Sequence, residues 1–546
     1  MMLERFRPII LFALAVFILS ATSIYGATND SVILMPSKLE LTASPGEIIH
    51  REFTLINQTE SDIGVTLHFE SLATPVDLHD GAALAEGVMP ISSLTTHLST
   101  EKQNFILTSH RRTSVPIIIK LPENISPGGY YGAAVFSITP TSNNLDNGPR
   151  FVTRLAGLMF VRVTGPVIES GTLLDFNLLG KPFRFSIRPP TFYLTFKNTG
   201  TIYLNPYGSI GLKNKFGGEK VDLAIDPWFV LPDNTRIREL TPSQTLSSGW
   251  YEARLLLHHG YSDGDIIDNQ SINFIIITPT VILGGGLGLI ILLIIIFMIR
   301  RKHFRPTALA FVLTLAFVNI ALAEVASSTN YRLQADSFNF GGLLSTSTNY
   351  RLEDTAGEIG TGNSTSTNYA LLTGYQQMVS SIIGITAPTD VTLSSIAGTG
   401  VSSGSVAWTV TTDGPAGYTL SIKAGSNPSL TAGVESFDDY SPSGASPDYD
   451  WTVATTEAAF GFSPEGVSIA SRYLNSGSTC GSGASDDADS CWDGFSTTNR
   501  TIAQSSAANT PSGTATTVKL KAEIGSSKTQ PEGNYAATLT VTAMPR

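Results

Sequence analysis

The chain is poor in charged residues and contains only two cysteines. Asp, Glu, Lys and Arg together make up 14% of its 546 residues, and the formal net charge is −11. The residues from Glu324 onward carry that whole excess, because they hold 9 basic and 20 acidic side chains. An acidic surface repels nucleic acid, so the sequence predicts no nucleic-acid partner.

Histidine is also scarce, with 8 in the chain and none beyond His303. A zinc site needs about four ligands, and the two cysteines, Cys480 and Cys491, have no histidine near them in sequence. In an exported chain, two cysteines that flank a Ser/Gly/Asp loop most simply form a disulfide. The sequence therefore predicts a Cys480–Cys491 disulfide, no metal site and no cofactor.

Catalytic signatures are weak. Gly400-Val401-Ser402-Ser403-Gly404 matches the G-x-S-x-G pattern of serine hydrolases, but the C-terminal part has no histidine to act as base. The acidic run beside the two cysteines, Asp486, Asp487, Asp489 and Asp493, lacks the spacing of a calcium loop. A solvated loop is the simpler interpretation. We predict that the protein is not an enzyme. The alternative is a cell-wall or polysaccharide-modifying enzyme with two carboxylates in one cleft.

Long apolar runs are present in three places. Arg5 and Arg7 precede an apolar stretch, which predicts a signal peptide over residues 1–27. Residues 281–299 are uncharged and long enough to cross a bilayer. A second signal-like segment over 306–323 ends in Ala321-Leu322-Ala323.

The second signal-like segment has two interpretations. Its A-x-A end predicts cleavage after Ala323, with Ala321 at the other small position, whereas an uncleaved segment would be a second transmembrane helix. The basic link 300–305 is expected on the cytoplasmic side. The protein is then expected to be anchored in the cytoplasmic membrane. Both of its large regions are expected on the outer side of that membrane, at the cell surface. The chain also has the layout of two exported proteins fused in frame.

The remaining sequence is rich in short strands separated by turn residues, which predicts tandem immunoglobulin-like β-sandwiches. Within PGGYYG, Tyr130 and Tyr131 must point to opposite faces of their strand. One is expected in the core, and the other is a candidate to stack on a sugar or to pack across the strands.

A repeat with a 19-residue period follows the second apolar segment, as STNYRL from Ser328, STNYRL from Ser347 and STNYAL from Ser366. Each copy predicts one short strand and one turn, forming a small sheet or a stalk. With three copies, the repeat is too short for a long solenoid.

Three segments, PSKLELTASPGE, FTLINQT and LPENISPGGYYGAAVF, resemble the first domain of the bacterial WxL-interacting cell-surface proteins. FKNTGTIYLNPYGSIGLKN and GWYEARLLLHHG are similar in layout to the second domain of that family. The resemblance covers about residues 31–305. It implies two exported sandwiches and a membrane anchor, with peptidoglycan as a partner of the first domain and other surface ligands for the second.

The C-terminal region faintly resembles the WxL domain through two W-T-V triplets, at Trp408 and Trp451. Valine replaces the family's leucine in both triplets, and both tryptophans are expected to pack inside a sandwich.

The sequence thus predicts a membrane-anchored cell-surface protein that binds cell-wall polymer or surface proteins, in adhesion or as a scaffold. Its predicted parts are 1–27 signal peptide, 28–145 first sandwich, 146–277 second sandwich, 281–299 transmembrane helix, 300–305 cytoplasmic link, 306–323 second transmembrane or signal-like segment, 324–380 repeats and 385–546 C-terminal sandwich.

Overall fold

The computed structural model describes a chain built from β-strands. The described residues are 30–75, 78, 82–85, 92–140, 148–185, 189–216, 220–242, 244–262, 266–279, 344–346, 351–353, 362–365, 370–373, 381–444 and 447–546. Its named elements are strands and two short 3-10 helices, η1 (Thr95–His97) and η2 (Ser471–Tyr473). The predicted all-β class is confirmed for this part of the chain.

The strands before the apolar segments fall into two groups. The first group is β1 (Ser31–Met35), β2 (Lys38–Ala43), β3 (Ile48–Asn57), β4 (Ile63–Ala73), β5 (Ala83–Leu84), β6 (Leu98–Ser99), β7 (Asn104–Leu107), β8 (Arg112–Lys120), β9 (Gly128–Pro140) and β10 (Gly148–Val163). The second group is β11 (Gly171–Leu178), β12 (Phe183–Phe185), β13 (Phe192–Asn198), β14 (Tyr207–Asn214), β15 (Lys220–Ile225), β16 (Thr235–Leu240), β17 (Gly249–His258) and β18 (Ile267–Ile277).

The strands after the apolar segments begin in the repeats. Those in the repeats are β19 (Leu344–Thr346), β20 (Arg351–Glu353), β21 (Gly362–Thr365) and β22 (Ala370–Thr373). The C-terminal strands are β23 (Ile383–Thr386), β24 (Gly400–Thr412), β25 (Tyr418–Ala424), β26 (Leu430–Ala432), β27 (Glu435–Asp439), β28 (Ala458–Glu465), β29 (Asp493–Gly494), β30 (Arg500–Ser505), β31 (Thr514–Ile524) and β32 (Ala536–Pro545).

Two sheets run from the first region into the C-terminal region. In one sheet the strand order is β8, β3, β1, β23, β24, β31 and β28. In the other sheet the order is β4, β9, β10, β32 and β25. Each sheet therefore contains strands that are separated in sequence by the second sandwich and the apolar segments.

The inward faces of these two sheets form one hydrophobic cluster. In β4 the alternating residues Ile63, Val65 and Leu67 are buried, as a half-buried strand with a period of two requires. Phe53 and Phe136 meet edge to face with their ring centroids 5.9 Å apart. The same cluster continues through buried residues of the C-terminal strands, so the first and last regions share one core.

The second sandwich has its own core. Its sheets have the orders β11-β13-β16 and β12-β18-β17-β14-β15. Between them lie the aromatic side chains of Phe192, Phe196, Trp228, Tyr251 and Phe274. Large aromatic residues supply much of the buried apolar area of such a core.

An aromatic cluster joins the first and second sandwiches. Phe160 of β10 lies 5.0 Å from Phe229 and 5.1 Å from Tyr203, measured between ring centroids. Tyr131 of β9 contacts Phe160 at 5.4 Å. The predicted division at residue 145 falls between β9 and β10, which pair as neighbours over most of their length, so β10 packs as part of the first sandwich.

The described parts of the repeats are two small hairpins. β19 pairs with β20, and β21 pairs with β22, both antiparallel. β20 begins at Arg351, directly after the second STNY in the sequence, and β22 begins at Ala370, directly after the third. The STNY residues of all three copies, which start at Ser328, Ser347 and Ser366, lie outside the described residues.

The predicted location in the cytoplasmic membrane requires correction. Among the residues that the structure describes, no helix is long and apolar enough to cross a membrane, because the elements there are strands and 3-10 helices of three residues. The predicted signal peptide 1–27, the spans 281–299 and 306–323, the basic link 300–305, and the cleavage positions Ala321 and Ala323 all lie outside the described residues.

Candidate functional site at the junction of the first and last regions

We call the junction the two places where strands of the first region pair with strands of the C-terminal region. The first place is antiparallel, where β1 meets β23 with Ser31 opposite Thr386 and Leu34 opposite Ile383. It is extended by Ser37, whose backbone N–H donates to the carbonyl of Ser381 at 2.7 Å. Strand β1 is thereby covered on both edges, by β3 and by β23.

The second place is parallel, where β10 meets β32 from Gly148 opposite Ala536 to Leu155 opposite Ala543. Farther along, the same edge of β10 pairs with β2. An unpaired strand edge leaves backbone donors and acceptors open to other chains, and β32 closes that part of β10. Gly148 has a φ of +94°, and a Cβ there would lie 2.6 Å from the carbonyl oxygen of Val391, so glycine permits the close approach.

Trp408 is the central side chain of the junction. It is fully buried, and its indole Nε1 donates to Thr153 Oγ1 on β10 at 3.1 Å. Its ring meets Phe151 edge to face at 5.0 Å. The backbone N–H of Phe151 donates to Asp390 at 2.9 Å. One tryptophan of the C-terminal region is thus held by an aromatic ring and a hydroxyl of the first region.

Positive charges from both regions act on His68 beside the junction. Arg154 of β10 is buried against Glu70, and this burial lowers the pKa of its guanidinium to about 10. The pKa of His68 is also lowered, first by burial and then by the positive charges of Arg154 and Lys423. Lys423 belongs to the C-terminal strand β25, so a charge of the C-terminal region contributes to the lowered pKa of a first-region side chain.

The second W-T-V tryptophan lies in a different environment. Trp451 is half-buried, stacks on Tyr440 at 4.3 Å, and donates from Nε1 to Glu523 at 2.6 Å. Lys521 lies over the neighbouring ring of Trp492 at 3.9 Å. This aromatic group packs on the C-terminal region alone and takes no part in the junction.

The two cysteines lie together in the structure. Cys480 and Cys491 are joined by a disulfide with their Cα atoms 5.7 Å apart, and both are buried. The acidic side chains near them have protein partners. Asp487 accepts from the Tyr449 hydroxyl at 2.9 Å, and Asp493 lies 2.6 Å from Arg500.

The other acids of the run are also engaged. Asp486 accepts from the backbone N–H of Gly466 at 2.7 Å, and Asp489 lies 3.8 Å from Lys519. In the described ranges, no group of three or more His, Cys, Asp or Glu side chains has the arrangement needed to hold a metal ion. The acidic run thus belongs to a hydrogen-bonded loop.

We expect the double variant Cys480→Ser, Cys491→Ser to unfold more easily while keeping its sheets. The bond closes a loop with a sequence separation of 11, and such a loop contributes about 2–3 kcal/mol. Urea unfolding of wild type and variant measures this loss. As a control, reducing agent should shift the wild type to the variant's midpoint. Free reaction of both thiols with an alkylating reagent in the unreduced native protein would contradict the bond.

The two tyrosines of PGGYYG lie in different environments. Tyr131 is fully buried, and its hydroxyl oxygen accepts the backbone N–H of Tyr203 at 2.8 Å. Burial raises its pKa. Tyr130 is half-buried, donates to the carbonyl of Ser126 at 3.1 Å, and lies edge-on to His97 at 6.3 Å. Of the two predicted ligand contacts, Tyr130 alone reaches the surface.

The G-x-S-x-G segment lies within strand β24, which pairs with β31. Ser402 is buried in that strand, whereas a nucleophile of this type sits on a sharp turn. His259 is buried and contacts Asp268 at 2.7 Å and the Tyr261 hydroxyl at 3.2 Å, so it supports a loop of the second sandwich.

The junction residues of the first region were not singled out by sequence. Phe151 and Thr153 occupy ordinary alternating positions in a long strand, and nothing local marks them as contacts for Trp408.

A sequence signal does exist for two buried arginines of the second sandwich, Arg236 and Arg238 in TRIREL. Their spacing of two places both arginines on the same face of β16, where both are buried.

No family model and no curated protein matches the chain. Among solved structures, the class 5 fimbriae chaperone CfaA is 10% identical over 44% of this chain and 98% of its own, with a TM-score of 0.24. A chain of the CsuC–CsuE chaperone-tip adhesion subunit complex of Acinetobacter baumannii is 11% identical over 45% of this chain and 97% of its own, with a TM-score of 0.22. The PapD-like domain 7 of human CEP192 is 15% identical over 27% of this chain and 94% of its own, with a TM-score of 0.19. At these TM-scores the likenesses carry no argument about ligands.

Proposed function

We propose that this protein is a non-catalytic surface protein that binds cell-wall polymer through its first sandwich and serves as a scaffold for its C-terminal region. The junction is the observation that carries the scaffold part. Strands from both ends of the chain complete the same two sheets around one core. A binding surface on the first sandwich would then be held rigidly against the C-terminal region.

The surface around Tyr130 is the proposed polymer contact. Its ring is half-buried and lies beside His97 at the start of β9. An aromatic face beside polar groups is suited to stacking on a sugar ring. The opposite face of the strand is fixed by buried Tyr131, which keeps the position of Tyr130 constant. This assignment agrees with the peptidoglycan partner that the family resemblance implies.

We expect Tyr130→Ala to weaken binding of the full chain to purified peptidoglycan about fivefold, as loss of one aromatic contact of about 1 kcal/mol requires. Co-sedimentation with increasing amounts of insoluble peptidoglycan measures the affinity. Tyr207→Ala is the matched control. Tyr207 is an exposed tyrosine of the second sandwich that stacks on His258 at 4.6 Å. Equal binding by wild type and Tyr130→Ala, or no sedimentation of wild type, would rule out this contact.

A further inference from the structure

The C-terminal region contributes apolar side chains to its neighbours at two places outside the junction. The first is Ala416, which is buried and belongs to the hydrophobic core of the second sandwich. The second is Met544 of β32, which is buried in the cluster that joins the first and second sandwiches. The C-terminal region thus reaches both the core of the second sandwich and the interface of that sandwich with the first.

Ala416 lies in a tight turn, residues 413–417, that connects β24 to β25. The backbone N–H of Gly417 donates to the carbonyl of Gly414 at 2.9 Å and closes the turn. Gly417 has a φ of +82°, a conformation that favours glycine. At the start of the turn, Asp413 accepts the backbone N–H of Ile382 at 2.7 Å, one residue before β23. The turn is therefore fixed to a strand that pairs with the first region.

The second sandwich holds this turn with a buried arginine. Arg238 of β16 is 4% exposed, and its Nη2 donates to the carbonyl of Pro415 at 2.8 Å. A buried guanidinium donor that loses its acceptor costs free energy, because no water replaces the lost hydrogen bond. The hydrogen bond and the buried methyl group of Ala416 therefore favour the same arrangement of the two regions.

Met544 approaches the second sandwich from the sheet that the first and last regions share. The register of β10 with β32 ends where Leu155 lies opposite Ala543, and Met544 is the next residue along β32. Its side chain points to the opposite face from Ala543, since neighbouring residues in a strand alternate. On that face it joins the cluster that contains Phe160 of the first sandwich and Phe229 of the second.

We propose that the C-terminal region holds the first and second sandwiches at one fixed angle. It does so through Ala416, Met544 and the Arg238–Pro415 hydrogen bond, which we call the three-region contact. The first two sandwiches are otherwise joined by residues 164–170, between β10 and β11, and by their aromatic cluster. Domains that share a chain link move relative to each other unless a large apolar interface prevents it.

The three-region contact can restrict this motion because the C-terminal region is itself fixed to the first. It pairs with that region through both sheets, so any contact that it makes with the second sandwich closes a ring of three regions. Opening the contact leaves residues 164–170 free to act as a hinge. The device is separate from the Tyr130 surface and stands whether or not that surface binds peptidoglycan.

Distances between spin labels in the full chain test the proposal. Labels on cysteines introduced at the exposed positions Lys120 and Asn273 report the distance between the first and second sandwiches. Labels at Lys120 and the exposed Val434 report the distance between the first and C-terminal regions. We expect one narrow distance distribution for each pair in the wild-type background.

Ala416→Asp should broaden the distribution between the first and second sandwiches into more than one population. An unpaired carboxylate is costly in an apolar core, so the turn should leave the second sandwich. The distribution between the first and C-terminal regions should stay narrow, because the paired strands of the junction are untouched. Hydrogen exchange of β16 should become at least about tenfold faster, since the turn no longer covers it.

Ala407→Asp is the matched control, because Ala407 is an exposed alanine of the neighbouring strand β24. It should leave both distance distributions and the exchange of β16 as in the wild type. An unchanged distribution between the first and second sandwiches in Ala416→Asp would overturn the proposal. Broadening of both distributions would also overturn it, because Ala416 would then serve the folding of the whole chain rather than the angle between two sandwiches.

Discussion

Cutting the purified chain between residues 324 and 343 should leave the two parts in one complex. A protease site inserted in this stretch separates the C-terminal region covalently from the first two sandwiches. In the intact chain the two parts are paired through β1 with β23 and through β10 with β32, and they share one core. We expect the fragments to co-elute from a size-exclusion column at a concentration of about 1 µM. Co-elution at that concentration means that the dissociation constant of the two fragments is lower than about 1 µM.

Trp408→Ala should weaken the association of the cut fragments, seen as a higher concentration at which they begin to elute apart. Removing a fully buried tryptophan costs about 3–5 kcal/mol, which raises the dissociation constant more than about a hundredfold. Phe151→Ala approaches the same contact from the first region. Because the two rings touch, the double variant should lose less than the sum of the single losses. Val434→Ala, at a position that is 97% exposed, is the control.

Separate elution of the wild-type fragments would show that the junction does not hold without the covalent link. Strict additivity of Phe151→Ala and Trp408→Ala would show that the two rings act independently. The result also bears on the predicted cut after Ala323. If the junction holds, such a cut would not by itself release the C-terminal region.

Tyr131→Ala should cost about 3–5 kcal/mol of unfolding free energy, whereas Tyr130→Ala should cost less than about 1 kcal/mol. Tyr131 is fully buried between the sandwiches, against Phe160 and Tyr203. Its removal leaves a cavity and also strips the Tyr203 N–H of its acceptor. Urea unfolding, with hydrogen exchange of β9 and β10 as the local probe, measures both losses.

Tyr131→Phe distinguishes the two contributions to this loss. It keeps the ring in the aromatic cluster and removes the hydroxyl oxygen that accepts from Tyr203, for an expected cost of about 1–3 kcal/mol. If Tyr130→Ala and Tyr131→Ala lost similar amounts of unfolding free energy, the two side chains would be equally buried. That result would contradict a buried Tyr131 beside a half-buried Tyr130. The neighbouring pair thus serves as its own internal control.

Local patterns in the sequence anticipate much of what the strands do. The alternation of Ile63, Val65 and Leu67 predicts a half-buried strand, and the structure has β4 there. Adjacent positions in a strand face opposite ways, so Tyr130 and Tyr131 had to differ in burial. These properties depend on residues within a few positions of each other, which a sequence displays directly.

Strand partners and the environment of each tryptophan are decided at longer range. Any strand edge offers the same backbone donors and acceptors, so nothing in residues 148–155 specifies that β32 pairs with them. Two W-T-V triplets look alike in sequence, yet Trp408 is buried in the junction and Trp451 is half-buried elsewhere.

The sequence by itself determined the all-β class, the opposite facing of Tyr130 and Tyr131, and the chemistry available to two cysteines. Only the tertiary structure decided that the first and last regions share two sheets and one core. The physical reason is that side-chain periodicity fixes which face of a strand is buried. The choice of what covers that face depends on packing between residues hundreds of positions apart.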